Sequence, residues 1–137
     1  AMRSRGDFGA NIGWMRAAGL SVGLTDQLGS AFSALRVDPS CWGALLIHVD
    51  DFGGIDEVLE KLLILRRQIP NVPVILVSWR VARDDFGSER LPLADVTLRD
   101  PVAMASLEAG LAFAADNNRQ WRQRCASQRE SSAHESE

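Results

Sequence analysis

The stretch from residue 42 to residue 54 constrains the fold of this chain more than any other. It contains an unbroken apolar run, residues 44–47, which leads to the polar residues His48, Asp50 and Asp51 and then to two consecutive glycines. A short apolar run that ends at glycine is typical of a buried β-strand. Because apolar residues occupy both faces of this strand, helices should cover both sides of a parallel sheet. We therefore expect His48, Asp50 and Asp51 at the carboxyl edge of that sheet, where open α/β sheets bind ligands.

Length and composition indicate one globular domain. The chain has 137 residues, of which 46% are hydrophobic and 24% are charged. The net charge of -3 argues against a general nucleic-acid surface, and no apolar run reaches the ~20 residues of a membrane span. The first residues do not form a secretory signal, and Cys41 and Cys125 have neither metal-ligand nor disulfide spacing. We therefore expect a cytoplasmic domain that contacts neither nucleic acid nor membrane and holds no metal or cofactor.

Strand-like and helix-like patterns alternate along the chain. A second fully apolar run, residues 72–77, repeats the character of the first, and Asp26, Asp56 and Asp100 stand where helix N-caps are needed. Strands that alternate with helices are typical of a doubly wound α/β sheet. The pattern predicts strands near residues 20–25, 43–49, 72–77 and 94–98, a helix before the first of them over residues 8–18, and helices between and after them.

Two segments carry weaker patterns. Residues 80–92 are charged and have few apolar side chains to bury, so we expect one short or mobile helix there. After Arg124 the chain is polar, which favours a disordered tail or linker over residues 125–137. The predicted domain therefore covers residues 1–124.

The order and lengths of these segments resemble the receiver domain of bacterial response regulators, which has a flavodoxin-like fold. Residues 14–22 look like the first helix and second strand of that family, and residues 42–54 look like its third strand and the following loop. Residues 71–78 are similar to its fourth strand, and residues 94–101 are similar to its fifth strand and the turn into its last helix. The resemblance implies a doubly wound parallel sheet and a role in two-component signal transduction.

The resemblance also implies a phosphoryl-accepting site, and most residues of that site are replaced here. His48 stands at the place of the acceptor aspartate, and Asp50 and Asp51 follow it. Arg99 stands in place of the lysine that offsets phosphoryl charge, and arginine does not substitute for a compact ammonium group. Ser78 matches the hydroxyl residue that ends the fourth strand of the family.

The first strand of the family, with the two acidic residues that hold magnesium, would fall at or before Met2. We therefore expect this strand to be missing from the chain. The resemblance then implies a degenerate receiver, or pseudo-receiver, that has no catalytic activity and acts through protein–protein interaction. Such a domain would serve a bacterial response regulator or transcription regulator, or would act as a stand-alone signalling protein.

Two other functions stay open. The chain could be a working receiver that is phosphorylated at Asp50 and has a truncated amino terminus. It could instead be a flavodoxin-like domain that binds a small molecule, although no phosphate-binding loop or cofactor motif supports this. A metal site made by His48, Asp50 and Asp51 would need a fourth ligand that the sequence does not identify.

The sequence also favours association with another protein. A receiver-like sheet without its first strand would leave unpaired backbone edges, which readily pair with other chains. Phe113 lies off the apolar stripe of the last helix, beside Asn117 and Gln120, and is a candidate interface anchor. We therefore expect a homodimer, formed by strand exchange or through the last strand and helix.

Overall fold

The computed structural model describes residues 1–3, 8–87 and 93–135. Within these residues the fold is mixed α/β, with a three-stranded sheet and four α-helices. In chain order the elements are α1 (Gly9–Ala17), α2 (Leu28–Val37), β1 (Leu45–His48), α3 (Ile55–Gln68), β2 (Val74–Ser78), β3 (Val96–Arg99) and α4 (Met104–Glu135), with short 3₁₀ turns at Pro39–Cys41 and Val49–Phe52. No helix in this described part combines the length and the apolar character that a membrane span requires.

The sheet has the strand order β1-β2-β3, and both strand pairs are parallel. Ile47 of β1 lies beside Leu76 of β2, which lies beside Thr97 of β3. The predicted parallel sheet is therefore confirmed, and three of the four predicted strands form within about two residues of their expected positions. The remaining strand prediction, over residues 20–25, is wrong, because these residues do not form a strand.

The segment 20–25 lacks a strand ladder because very little backbone lies beside it. In the described residues its one hydrogen bond toward the sheet runs from the Met2 N–H to the Thr25 carbonyl, over 2.9 Å. Ala1 lies between this segment and β1: its amine donates to the Leu46 carbonyl, and its carbonyl accepts from His48 N–H. Ala1 and Met2 therefore join β1 to this segment through three backbone hydrogen bonds, without forming a strand.

Helices cover both faces of the sheet, as the two fully apolar strands predict. On one face, side chains of α2 and α3 pack on the alternate strand residues Ile47, Val74 and Leu76. On the other face, side chains of α1 and α4 pack on Ile75 and Val77. Every residue of β2 is buried, which explains why the sequence of this strand is apolar without alternation.

A buried ion pair ties several elements to one point at the amino edge of the sheet. Arg66 of α3 donates two hydrogen bonds to the Asp95 carboxylate, each 2.8 Å long, and both side chains are at most 1% exposed. The same carboxylate accepts the Val74 N–H at the start of β2, over 2.7 Å. From α4, the Asn117 amide donates to the Asp95 carbonyl, and the Trp121 ring lies 5.2 Å from the Arg66 guanidinium carbon.

The helix predicted over residues 80–92 is absent from residues 80–87, which form turns and bends. Asp85 instead pairs with Thr97 on the outer edge of β3, through its N–H at 2.7 Å and its carbonyl at 3.0 Å. These bonds to the sheet replace the bonds that a helix would have made within the segment. Residues 88–92 lie outside the described part of the chain.

The final helix differs from its prediction at both ends. It begins at Met104, so the expected cap at Asp100 is wrong, and it continues to Glu135, where the sequence predicted a disordered tail after Arg124. No glycine or proline follows Gly110 in the sequence, so nothing interrupts the helical hydrogen bonds. The caps predicted at Asp26 and Asp56 are also wrong, because α2 and α3 start after Gln27 and Gly54 without side-chain caps.

We expect Asp95→Ala to destabilise the protein strongly, because it leaves the Arg66 guanidinium buried without its carboxylate. Removal of one partner from a buried ion pair typically costs about 3–5 kcal/mol. Urea unfolding followed by tryptophan fluorescence measures this loss. The matched control is Asp116→Ala, which removes the exposed partner of Arg119 and should leave the midpoint nearly unchanged. Equal midpoints for the two variants would contradict the central role of Asp95.

Candidate functional site

The candidate site lies where the three parallel strands end at their carboxyl edge. β1 ends at His48, β2 ends at Ser78 and β3 ends at Arg99. His48 pairs with Val77 in the register, and Ser78 pairs with Arg99, so these strand ends lie side by side. The turn after each strand brings further polar residues to this edge.

Asp50 reaches across this edge to the end of β2. The 3₁₀ turn Val49–Phe52 reverses the chain after β1, and the Asp50 side chain is only 7% exposed. Its Oδ1 accepts the Ser78 hydroxyl and its Oδ2 accepts the Trp79 N–H, each over 2.8 Å. Both carboxylate oxygens are therefore bonded to the turn that follows β2.

Asp50, Ser78, Trp79 and Arg80 together form a small network of contacts, which we call the Asp50 bracket. Arg80 N–H donates to the Ser78 hydroxyl over 3.1 Å, and Arg80 Nε lies 3.9 Å from Asp50 Oδ1. The Arg80 guanidinium carbon lies 5.2 Å from the centre of the Trp79 ring. Trp79 is 60% exposed although its backbone is held by Asp50. The bracket thus presents a large aromatic side chain to solvent on an anchored turn.

His48 lies between two other carboxylates. Its Nε2 is 3.1 Å from Asp100 Oδ2, its Nδ1 is 3.4 Å from Asp51 Oδ2, and the ring is 12% exposed. A neutral imidazole can donate to one of these carboxylates, whereas an imidazolium can donate to both. Asp51 also accepts the Arg3 N–H over 2.9 Å, which joins the chain start to the same edge.

The structure brings together four of the five site residues predicted from the sequence, namely His48, Asp50, Asp51 and Ser78. Arg99 does not join them: its guanidinium donates to the Ala82 carbonyl over 3.0 Å, and its N–H donates to Asp84. Asp100 enters the site in its place, and its own N–H donates to the Ser78 carbonyl over 3.0 Å. The sequence signal for Asp100 was its position directly after a strand of a parallel sheet, but the following proline favoured a helix cap instead.

The three predicted interface residues have different surroundings. Phe113 is 48% exposed, and its ring centre lies 5.3 Å from that of Phe86. Gln120 is also exposed. Asn117 is buried, and its amide donates to the carbonyls of Phe86 and Asp95. The prediction for Asn117 is therefore corrected, because this side chain holds α4 to the loop and the sheet and is not available to a partner.

The surroundings of His48 and Asp50 include a neighbouring cavity but, within the described residues, no group of side chains arranged for a metal ion. Among the residues that the structure describes, no group of three or more histidine, cysteine, aspartate or glutamate side chains is arranged to hold a metal ion. A cavity of about 540 Å³ lies nearby, between the start of α2 and the first turns of α3. Charged side chains of both signs line it, including Arg3, Lys61 and Glu57, and the site residues do not.

Comparisons with known proteins do not identify a relative of this chain. No family model matches the sequence, no curated protein is similar to it, and no solved structure matches the fold.

We expect Asp50→Ala to release the turn after β2, because the Ser78 hydroxyl and the Trp79 N–H lose their acceptor together. Removal of the acceptor of a buried donor typically costs about 1–3 kcal/mol, which applies to the buried Ser78 hydroxyl, whereas the exposed Trp79 N–H can bond to water instead. Urea unfolding should show the loss of stability, and hydrogen exchange should be faster at the Trp79 amide. Asp56→Ala, in the exposed first turn of α3, is the control and should change neither. A Trp79 amide that exchanges at the same rate in Asp50→Ala would contradict the proposed bracket.

Proposed function

We propose that this chain is a degenerate receiver-like domain of a bacterial response regulator or transcription regulator, which acts as a regulatory module through protein–protein interaction, without catalysis of its own. The observation that carries the proposal is the bonding of Asp50, whose two carboxylate oxygens accept the Ser78 hydroxyl and the Trp79 N–H. A carboxylate bonded in this way holds a turn in place. It is not presented as a nucleophile toward a phosphoryl donor.

The surroundings of Asp50 support the same function. Phosphoryl transfer to a carboxylate requires charge neutralisation by a metal ion or by cations at the transferring group. His48 occupies the position that the resemblance gives to the acceptor, and two carboxylates lie against its ring nitrogens. The Arg99 guanidinium, in the place of the charge-offsetting lysine, bonds to the Ala82 carbonyl. The Arg99 guanidinium therefore does not supply positive charge to Asp50.

Exposed aromatic side chains support the interaction role. Trp79 and Phe113 are 60% and 48% exposed, although burial of rings of this size contributes strongly to stability. Tryptophan is among the residues that most often dominate the binding energy of protein interfaces. Trp79 follows directly on the Asp50 bracket, so changes at the strand ends would alter how this ring is presented.

A second candidate function is a working receiver that is phosphorylated at Asp50. One observation favours it, namely the 2.8 Å hydrogen bond from the Ser78 hydroxyl to Asp50. The resemblance implies that this hydroxyl contacts the new phosphoryl oxygens, so its proximity supports Asp50, rather than His48, as the acceptor in this second candidate function. The Trp79 N–H would then have to give up its bond to Asp50 when the phosphoryl group arrives.

We expect the protein to remain unphosphorylated by a small phosphodonor, because both oxygens of Asp50 are already hydrogen-bonded and the Arg99 guanidinium is bonded to the Ala82 carbonyl. The measurement is intact-mass spectrometry after incubation with magnesium and acetyl phosphate, compared with Asp50→Ala and His48→Ala. An added phosphoryl mass that disappears in Asp50→Ala would replace the proposed function with the second candidate. An adduct that disappears in His48→Ala would indicate a histidine phosphocarrier and would also overturn the proposal.

We expect a homodimer in which the exposed Phe113 of α4 anchors the interface, rather than one formed by strand exchange. Asp85 pairs with the outer edge of β3, and Ala1 pairs with the carboxyl end of β1, so the expected free edges are partly covered. Light scattering at high micromolar concentration should give a dimer mass, and Phe113→Glu should lower it. Met104→Glu is the control, because Met104 is also exposed and lies on the opposite side of α4. A monomer mass for the unmodified chain would reject the dimer.

A further inference from the structure

The imidazole of His48 lies between two carboxylates that belong to different turns. Asp51 is part of the 3₁₀ turn Val49–Phe52 that follows β1, and Asp100 directly follows β3. Nε2 of the ring is 3.1 Å from Asp100 Oδ2, and Nδ1 is 3.4 Å from Asp51 Oδ2. One ring therefore connects the turn after the first strand to the turn after the last strand of the sheet.

Hydrogen-bonding rules decide which ring nitrogen always carries a proton. An ionised carboxylate only accepts hydrogen bonds, and carboxylates ordinarily stay ionised above about pH 5. Nε2 must therefore carry a proton in order to bond to Asp100. Nδ1 is enclosed by the protein and has no hydrogen-bond partner among the described residues, because its distance to Asp51 is longer than an ordinary N–H···O bond. The charge of the ring thus depends on whether Nδ1 also holds a proton.

The two states of Nδ1 interact with Asp51 in opposite ways. A lone pair on Nδ1 repels a carboxylate oxygen 3.4 Å away, whereas an Nδ1 proton forms a charge-assisted hydrogen bond with it. Water screens this difference only weakly, because the ring is 12% exposed. Imidazole is the side chain that ordinarily changes its charge between pH 5 and 8. The contact between the ring and Asp51 should therefore tighten in acid and loosen as the pH rises.

The other charged groups at this edge act on Asp51 or point away from the ring. Burial lowers the pKa of the Ala1 amine from 8.0 to about 6, although the nearby Asp51 carboxylate acts in the opposite direction. Arg3 contacts Asp51 through its backbone N–H, which does not titrate. Asp50 bonds to the turn after β2, and the β2 neighbour of His48 in the register is the apolar Val77. The Ala1 amine is therefore the group whose titration has to be separated from that of the ring.

Both carboxylates at the ring are connected to the end of β2. Asp51 is adjacent in the 3₁₀ turn to Asp50, which accepts the Ser78 hydroxyl and the Trp79 N–H. On the other side, the Asp100 N–H donates to the Ser78 carbonyl over 3.0 Å. A movement of the turn after β1 would therefore alter the Asp50 bracket, and with it the anchoring of the exposed Trp79.

We propose that His48 is a proton-operated latch, in which a ring protonated on both nitrogens holds Asp51 and Asp100 together. Loss of the Nδ1 proton to solvent releases the turn after β1 and loosens the Asp50 bracket. The latch is closed in acid and opens as the pH rises. It stands on the contacts of the ring alone, whereas its effect on a partner, through the exposed Trp79, rests on the proposed function.

The test is a nuclear magnetic resonance titration of the full 137-residue chain between pH 5 and 8. The ¹⁵N shifts of the His48 ring report the protons on each nitrogen and so separate the ring from the Ala1 amine. We expect protons on both nitrogens at pH 5 and on Nε2 alone at pH 8. The protection factor of the Trp79 amide should fall by about tenfold over the same range. Unchanged ring protonation, or a ring that titrates without a change at the Trp79 amide, would overturn the proposal.

Two variants assign the pH dependence to His48. The amide of His48→Gln can donate a hydrogen bond but takes up no proton, so protection of the Trp79 amide should no longer depend on pH. His134→Gln, at the other histidine of the chain, is the control and should follow the unmodified chain. Equal pH dependence in both variants would assign the effect to another group, such as the Ala1 amine, and would overturn the proposal.

The ring titration uses the unmodified chain, so it tests the latch even where His48→Gln does not fold. None of these measurements contains a phosphodonor or a partner. A phosphoryl adduct in the mass-spectrometric experiment would therefore reject the proposed function and leave the latch in place, whereas a ring that does not titrate would reject the latch alone.

Discussion

The buried pair of Arg66 and Asp95 is the interaction on which the amino side of the sheet depends. A charge without its partner at such a site would destabilise the fold by several kcal/mol, so each group requires the other. Asp95 also accepts from the first residue of β2, and its carbonyl accepts from α4. One residue, Asp95, thereby fixes the relative positions of α3, β2, β3 and α4 through its carboxylate and its backbone carbonyl. Packing alone leaves such elements free to slide by small amounts, whereas directed hydrogen bonds do not.

At the carboxyl edge of the sheet, carboxylates also accept hydrogen bonds, but there they connect the turns that follow the strands. There the acidic groups bond to an imidazole, a hydroxyl and backbone N–H groups, and they lie near the surface rather than in the core. Their charge is distributed among close neighbours, which leaves little capacity for an incoming anion. The edge therefore joins the turn after β1 to the turn after β2, and the exposed Trp79 follows the second of these turns. A partner that contacts this ring would sense the arrangement of the strand ends.

Local patterns in the sequence predicted the sheet well, because β1 and β2 are apolar on both faces and bounded by glycine or proline. The patterns gave wrong predictions where contacts between distant residues determine the local structure. The sequence alone predicts Arg66 as a solvated residue at the end of a helix, because its burial depends on Asp95, which is 29 positions away. The sequence alone predicts Asp85 as part of a short helix, but its backbone instead forms hydrogen bonds with Thr97 at the edge of β3. At the site, the sequence predicted which residues end the strands, and it missed Asp100 because a side-chain direction depends on the turn that carries it.

Helix α4 extends well beyond the domain on which it packs. In the described residues, the last partly buried side chain of α4 is Cys125, and residues 126–132 are exposed. At 1.5 Å per residue, the ten residues that follow Cys125 up to Glu135 project by about 15 Å. A helix of this length acts as a lever whose fulcrum is the contact of Asn117 with Asp95 and of Trp121 with Arg66. A tilt of a few degrees at that fulcrum becomes a displacement of about 1 Å at the tip. Small rearrangements inside the domain are thus converted into movement at a distance.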